Sequence, residues 1–517
     1  MSRIRIVGGS ITKTSKGATI LEALDGNLTM SAAKQVILDG GENGITHHEY
    51  VPPKKKEEDK TDEPKILDAK CIVQFRPNGS WKGEFGFDWF RIGDTRRQGD
   101  VNYETLVGRH YDKELTDTSK QIVNNGNKWS TNFKADPQPA EFSRFNRIDQ
   151  LKELYGVYEY SLENDSSGSP INKKYYKPVL ALFAREADPL RPRKFIETGI
   201  AQLDLYIQFE KQGGTEIKPS KLIFEMDGVL MDENHPLVSI DRHTILQNKL
   251  RNKIENIEIT CKAEFAEDKE IKVWAISVDK AGNQTAKLLA GVLKMIAPAK
   301  KATKNILLVL VNTSKGTGSS NGLDILKRNL KQALIKTNIV TKAMKMGVLE
   351  SVKIDLSISA NNVDNKDFNS SFQVDVKDSE YSNIGNREGL DDFLKDTLER
   401  DYPGQFQDYF KLFFLANGTD IVFDKDKLLT GYTAGYSSLK ANFGVMFKMH
   451  NEYTIAHECL HGLGLRHSFF GVNLPNEISF CYQAQTTDNI MDYSHNLPTP
   501  IPRITTWYWQ WKILNRL

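Results

Sequence analysis

Three histidines near the C-terminus constrain this chain of 517 residues more than any other feature. His457 and His461 are four positions apart, so on a helix they lie one turn apart on the same face. Gly464 follows His461, and His467 follows Gly464. Because glycine takes positive φ at no steric cost, a helix can end there in a sharp turn that carries His467 back toward the other two. The segment therefore predicts a helix and a turn that bring three imidazoles together.

Three imidazoles arranged in this way can hold one tetrahedral ion, and the spacing favours zinc. Three protein ligands leave a fourth position open, which distinguishes a catalytic zinc site from a structural one. Glu458 follows His457 but is rotated by about 100° around the helix axis, so it can reach a water at the metal without being a ligand. We therefore predict Zn²⁺ as the cofactor, His457, His461 and His467 as its ligands, and Glu458 as a catalytic base.

The pattern His-Glu-x-x-His-x-x-Gly-x-x-His, followed by Asn489-Ile-Met491-Asp-Tyr493, resembles the metzincin zinc metallopeptidases. Met491 corresponds to the methionine that this family places beneath its metal ligands as a structural residue. The Met-x-Tyr arrangement is similar to the astacin and serralysin branches. The resemblance thus implies Tyr493 as a second catalytic residue, whose hydroxyl lies near the metal and stabilises an oxyanion. A tyrosine that only packs at the turn is the alternative.

The resemblance implies a zinc-dependent endopeptidase that acts on polypeptides through a zinc-bound water activated by Glu458. The strand Asn442–Lys448 corresponds to the family's substrate-binding edge strand, and Ser494–Pro500 to the wall of a substrate pocket. Two alternatives stay open. One is a zinc amidase that acts on cell-wall peptides, and the other is a binding or structural component of a secretion apparatus that keeps a peptidase-like domain.

Changes in composition predict a multidomain chain, as its length also suggests. Residues 1–50 are rich in Gly, Ser and Thr and predict a small or weakly ordered leader, and residues 51–65 form a charged linker. Short strand patterns between polar turns predict a β-rich domain over 66–190 and a β-sandwich-like domain over 191–300. Residues 301–517 mix helix and strand patterns and are expected to form an α+β, metzincin-like zincin catalytic domain.

Within this last region the apolar run Lys304–Asn312 predicts a strand buried on both faces. An amphipathic helix is expected over Leu323–Ile339, and another helix around Leu390–Leu398. Near the C-terminus, Ile504, Trp507, Trp511 and Leu514 fall at helical spacing, which predicts a stripe packed on the catalytic domain.

Charge and hydropathy exclude two classes of partner. The formal net charge is only +2, which gives no electrostatic footprint for nucleic acid. No run of about 18 apolar residues occurs, so no membrane span is expected. Four cysteines do not make a disulfide framework. Cys459 is predicted to pack in the core, although its pairing with Cys481 is open.

The start of the chain lacks the apolar stretch of a signal peptide. Two segments, Ile4–Lys13 and Trp81–Trp89, resemble a Bacteroidetes group associated with type VI secretion. This resemblance implies a protein that is cytoplasmic before export, is secreted or delivered by a contractile machine rather than the classical route, and acts as an effector toxin. Its expected partners are components of the secretion apparatus and an immunity or inhibitor protein.

Overall fold

The front half of the chain forms two large sheets that are mainly antiparallel, together with two two-stranded sheets. The computed structural model describes residues 69–106, 144–162, 169–212, 214–357, 363–373, 384, 387–419, 422–423, 429–431, 433–469, 480, 482 and 484–515. The predicted leader (1–50) and charged linker (51–65) lie outside the described residues.

The elements up to residue 300 include two helices, α1 (Tyr103–Leu106) and α2 (Arg144–Tyr155). The strands in this part are β1 (Cys71–Pro77), β2 (Gly86–Asp88), β3 (Val157–Tyr160), β4 (Lys173–Tyr176), β5 (Val179–Ala181), β6 (Glu186–Asp188), β7 (Arg191–Glu197), β8 (Ile200–Gln212), β9 (Thr215–Ile217), β10 (Lys221–Met226), β11 (Val229–Leu230), β12 (Val238–Ile240), β13 (Thr244–Leu246), β14 (Lys253–Cys261), β15 (Lys269–Val278) and β16 (Gln284–Ile296).

One of the two sheets has the order β1-β8-β14-β12, and the other has the order β11-β10-β15-β16-β5-β2. Apolar side chains from both sheets fill a single core, which includes Phe75, Leu205, Phe224 and Val273. The prediction of a β-rich front half is confirmed. Pairing crosses the predicted domain boundary at residue 190, because β1 pairs with β8 and β5 pairs with β16.

The elements after residue 300 include the helices α3 (Asp324–Gln332), α4 (Val363–Phe372), α5 (Leu390–Asp401), α6 (Glu452–Gly462) and α7 (Tyr508–Asn515). The strands in this part are β17 (Ala302–Thr313), β18 (Gly316–Thr317), β19 (Ile335–Val340), β20 (Lys342–Lys345), β21 (Val348–Ser351), β22 (Lys353–Asp355), β23 (Phe410–Leu415), β24 (Val422–Phe423), β25 (Leu429–Gly431), β26 (Gly435–Tyr436) and β27 (Phe443–Met446).

A third sheet is built mainly from parallel strands. The strands β19, β17, β23 and β27 run parallel to one another, and β26 pairs antiparallel with β27 at the end of the sheet. Alternate residues of β17 enter two different cores. Ile306 and Leu308 face one core with α3, α6 and α7, whereas Leu307 and Val309 face another with α4 and α5. The prediction that the apolar run Lys304–Asn312 is buried on both faces is confirmed.

The predicted helix over Leu323–Ile339 is wrong in its second half. The helix α3 ends at Gln332, Leu334 takes a positive φ of 56°, and Ile335 begins β19, which pairs with β17. The alternation of Ile335, Thr337 and Ile339 is a strand pattern that follows the helical one without a polar break. No helix among the described residues is long and apolar enough to cross a membrane.

The core beneath α6 and α7 also contains residues from the front half. Phe90, Tyr103 and Tyr155 lie in the same apolar cluster as Trp507 and Trp511, and all of them are buried. The described residues after residue 65 accordingly form one compact unit by their contacts. The core beneath α6 and α7 is therefore shared between the front half and the region 301–517, whereas the core beneath α4 and α5 lies within 301–517 alone.

Candidate metal centre

The helix α6 has a defined beginning. Asn451 has an extended backbone, and its side-chain oxygen accepts a hydrogen bond from the Thr454 amide at 3.0 Å, which caps the helix. Glu452 in the first turn is favourable to the helix dipole. Ile455 and Cys459 are buried in the core. The cap and the apolar face together fix the helix on the sheet.

The end of α6 is a Schellman turn, in which two backbone bonds close over a residue with positive φ. The amide of Leu465 donates to the carbonyl of Leu460 at 2.9 Å, and the amide of Gly464 donates to the carbonyl of His461 at 2.9 Å. Gly464 has a φ of +112°. The turn also places the carbonyl of Leu465 2.7 Å from Nδ1 of His461. The turn that reverses the chain thus also orients a histidine.

The three histidines meet at their Nε2 atoms. Each of the three Nε2–Nε2 distances among His457, His461 and His467 is 3.1 Å. Nitrogen ligands at about 2.0–2.1 Å from one tetrahedral zinc ion lie about 3.3 Å apart, close to this spacing. Among the described residues these three side chains form a group that can bind a metal ion.

Hydrogen bonds at the far side of two rings fix their orientation. Nδ1 of His457 lies 3.0 Å from the carbonyl of Ile490, and Nδ1 of His461 contacts the carbonyl of Leu465. A carbonyl accepts only, so each Nδ1 donates and each Nε2 keeps its lone pair for a metal. Burial lowers the pKa of His461 to about 4 and that of His467 to about 3, and it lowers the pKa of His457 as well. All three rings are therefore neutral near pH 7, as metal ligands must be.

The segment around Met491 packs directly behind the histidines. Met491 is fully buried, and its carbonyl accepts a hydrogen bond from the amide of Ser468 at 3.1 Å. Its own amide donates to the side-chain oxygen of Asn489 at 2.9 Å. Because Ile490 bonds to His457 and Met491 bonds to the residue after His467, this one turn contacts both ends of the triad.

Tyr493 contacts one histidine of the triad. Its hydroxyl oxygen is 2.9 Å from Nε2 of His467, and the side chain is partly buried. Burial, followed by the negative charge of Glu458, raises the pKa of Tyr493 to about 12. The hydroxyl is therefore protonated near neutral pH and can donate a hydrogen bond at this position.

Glu458 is partly buried and lies close enough to Tyr493 for its negative charge to act on that side chain. Burial raises the pKa of Glu458 to about 8, and a hydrogen bond from the backbone amide of Ser437 opposes that rise. Ser437 directly follows β26, so the last strand of the sheet and the carboxylate are linked. A carboxylate with a pKa near neutral can both take up and release a proton.

Other predicted features lie as follows. Cys459 is a free, buried thiol in the core, and Cys481 lies outside the described residues. The strand at Asn442–Lys448 was predicted to be the edge of the sheet, which is wrong, because β27 pairs with β26 on its outer side. His495 in the predicted pocket wall is exposed.

Sequence reasoning missed residues that hold the turn together. The carboxylate of Asp492 accepts hydrogen bonds from the amides of Gln485, Thr487 and Tyr493 at 2.6, 2.9 and 2.7 Å. Arg503 donates to the carbonyl of Asp492 at 3.3 Å. No spacing rule links these residues, because the turn is closed by contacts between segments.

No protein-family model matches this chain, and a comparison with curated proteins likewise gives no match.

Proposed function

We propose that this protein is a zinc-dependent endopeptidase of the metzincin type. The observation that carries the proposal is the triangle of Nε2 atoms at 3.1 Å, with Glu458 and Tyr493 beside it. Three neutral imidazoles suit zinc better than calcium or magnesium, which prefer oxygen ligands. A purely structural zinc site would have a fourth protein ligand.

When bound, zinc supplies a Lewis acid that polarises a substrate carbonyl. Glu458 would accept the proton of the attacking water and deliver it to the leaving amine. Tyr493 donates its hydroxyl hydrogen to the oxygen on which negative charge develops. His457 and His461 are held in position by the carbonyls of Ile490 and Leu465.

The end of the sheet supports a polypeptide substrate. The strand β26 runs antiparallel to β27 and is the last strand on this side of the sheet. An extended peptide can add to such an edge by main-chain hydrogen bonds. The amide of Ser437, just beyond β26, bonds to Glu458, so a peptide on this edge would lie next to the proton-transferring group.

Glu458→Ala and His461→Ala separate the roles of the two residues. We expect Glu458→Ala to keep one zinc per chain and to lose cleavage of a peptide library by at least about a hundredfold, within the range that general bases contribute. His461→Ala is expected to lose zinc. Metal content is measured by mass spectrometry. Wild-type cleavage rates in a metal-containing Glu458→Ala preparation would refute the proposed role of Glu458.

Purified cell wall, digested in parallel, tests the amidase alternative, which would release new amino groups from cell wall and none from peptides. Zinc binding without either activity would favour the binding component of a secretion apparatus. Delivery by a non-classical route, as a toxin with an immunity partner, stays a prediction of the sequence resemblance.

A further inference from the structure

Three arginines are buried in the part of the chain that the structure describes, and they differ in their counter-ions. Arg76 pairs with Asp94 at 2.7 Å, and Arg91 pairs with Asp488 at 2.7 Å. Arg503 is only 7% exposed, yet no described carboxylate lies within ion-pair distance of it. A buried charge without a counter-ion destabilises the folded state. A buried guanidinium without a described counter-ion is therefore a candidate for binding an external anion.

Arg503 lies next to the candidate metal centre. Its guanidinium donates to the carbonyl of Asp492, the residue before Tyr493, and stands 5.4 Å from the ring centre of Tyr453. Tyr453 precedes His457 by four residues on α6, so both project from the same face of the helix. The positive charge of Arg503 also acts on His457, Tyr493 and His495. Arg503 therefore sits between the metal-facing side of the helix and the turn.

Asp492 does not neutralise this arginine by direct pairing. Its carboxylate is occupied by the backbone amides of Gln485, Thr487 and Tyr493 and by the hydroxyl of Thr487. It attracts Arg503 only at longer range. Burial lowers the pKa of Arg503 to about 10, so the side chain still carries its charge at neutral pH.

We propose that Arg503 binds a carboxylate of the substrate, so that the protein prefers peptides with an acidic group near the scissile bond. The inference rests on the proposed peptidase function and adds the substrate class. A guanidinium offers paired donors that match a carboxylate, and charge-assisted hydrogen bonds of this kind are stronger than neutral ones. The carboxylate can come from an aspartate or glutamate side chain or from the C-terminus of a short peptide.

Equilibrium binding tests the inference without requiring turnover. Zinc-loaded Glu458→Ala protein is titrated with three fluorescent peptides of equal length. One has an internal Asp and an amidated C-terminus, the second has Asn in its place and the same amide, and the third has the Asn and a free C-terminus. We expect one of the two acidic peptides to bind about 10–100 times more tightly than the neutral one. The additional substitution Arg503→Gln should abolish that difference.

Arg251→Gln provides the matched control, because it removes an exposed arginine in the β-rich half with the same change in net charge. It should leave the preference intact. Zinc content and melting temperature of Arg503→Gln show that the variant is folded. Equal binding of all three peptides, or a preference that survives Arg503→Gln, would overturn the inference.

Cleavage of a proteome-derived peptide library separates this inference from the proposed function. Wild-type protein is expected to enrich cleavage sites with an acidic group nearby, and Arg503→Gln is expected to lose that enrichment. Cleavage without any acidic preference refutes the role of Arg503 and leaves the peptidase proposal in place. Selective binding of acidic peptides with no cleavage refutes the peptidase proposal and leaves the carboxylate site.

Discussion

Gly464 connects backbone conformation to ligand geometry at the scale of a single residue. Its φ of +112° is a conformation that L side chains rarely adopt, and a Cβ there would come within 3.3 Å of the Lys440 side chain. The turn that depends on it supplies the carbonyl that orients His461 and leads the chain to His467. Backbone strain at this position should therefore displace the metal-binding nitrogen atoms of His461 and His467.

We predict that Gly464→Ala lowers the free energy of unfolding by about 1–3 kcal/mol, because alanine is strained at positive φ. It should also weaken zinc affinity by at least about tenfold, since His461 and His467 lose their alignment. Denaturant titration and competition with a zinc chelator measure the two effects. Gly404→Ala is the control, because Gly404 also has positive φ but has open space around it. Equal effects of both substitutions on zinc affinity would contradict the prediction.

The raised pKa of Glu458 predicts that the stability of the metal-free protein depends on pH. Burial raises its folded-state pKa from 4.5 to about 8. A group with a raised folded-state pKa contributes stability that is fully present below the unfolded pKa and is lost as the pH rises through the folded one. We therefore expect Glu458→Gln to become increasingly more stable than wild type between pH 4.5 and about 8, by at most about 5 kcal/mol. Thermal melts of the chelator-treated proteins at a series of pH values measure this difference in stability. If the stabilities of wild type and Glu458→Gln changed with pH in the same way, a raised pKa of Glu458 would be excluded.

At the scale of elements, the terminal helix α7 and the turn around Met491 are joined by buried hydrogen bonds. The side-chain amides of Asn489 and Gln510 exchange two hydrogen bonds of 2.8 and 3.2 Å, and both residues are fully buried. Asn489 also accepts from the amide of Met491, and Gln510 from that of Trp507. The predicted stripe of Trp507 and Trp511 is buried as expected, but the helix begins at Tyr508 rather than near Ile504.

A double-mutant cycle on Asn489 and Gln510 tests this coupling. Each alanine substitution leaves a buried amide without its partner, so we expect each to cost about 1–3 kcal/mol of stability. The double variant should cost less than the sum by at least about 0.5 kcal/mol, as expected for residues in contact. Asn489→Ala should also weaken zinc binding, because the Met491 turn bonds to His457. Strict additivity in the denaturant midpoints would show that the two amides act independently.

At the scale of the whole molecule, a buried ion pair joins the front half to the segment that leads into the turn around Met491. Arg91 and Asp488 lie 2.7 Å apart with 1% and 3% of their side chains exposed. Arg91 also stacks 4.3 Å from the ring centre of Trp89, and Asp88 accepts a bond from the amide of Tyr508 at 2.7 Å. The segment that contains Trp81–Trp89, singled out in the sequence for a resemblance to secretion proteins, is therefore part of the support of the candidate site.

We expect Arg91→Met to lower the free energy of unfolding by about 3–5 kcal/mol, because it leaves Asp488 charged and buried. The paired replacement Arg91→Met with Asp488→Leu should recover most of this loss, since no buried charge is then unpaired. Both effects are read from denaturant unfolding. Lys253→Met serves as a control, because Lys253 pairs with Asp204 while its own side chain is 41% exposed. If Arg91→Met lowered the free energy of unfolding by no more than the control does, a stabilising role of the Arg91–Asp488 ion pair would be contradicted.

The sequence by itself determined which residues form the candidate metal centre, because the spacing of His457, His461, Gly464 and His467 is local. A helical turn of four residues and a glycine after it have few alternatives, so the positions in the chain define a geometry. The buried strand β17 was also readable, since a strand covered on both faces leaves a continuous apolar run.

Only the tertiary structure decided what surrounds those residues. The end of α3, the position of β26 outside β27 and the pairing of Arg91 with Asp488 all depend on contacts between segments distant in the chain. So does the place of Arg503, which has no described carboxylate within ion-pair distance. Such contacts depend on burial and on which segments meet, and no period in the sequence records either. The three histidines were thus evident from their spacing. The turn around Met491, the Arg91–Asp488 ion pair and the position of Arg503 could be recognised only from the tertiary structure.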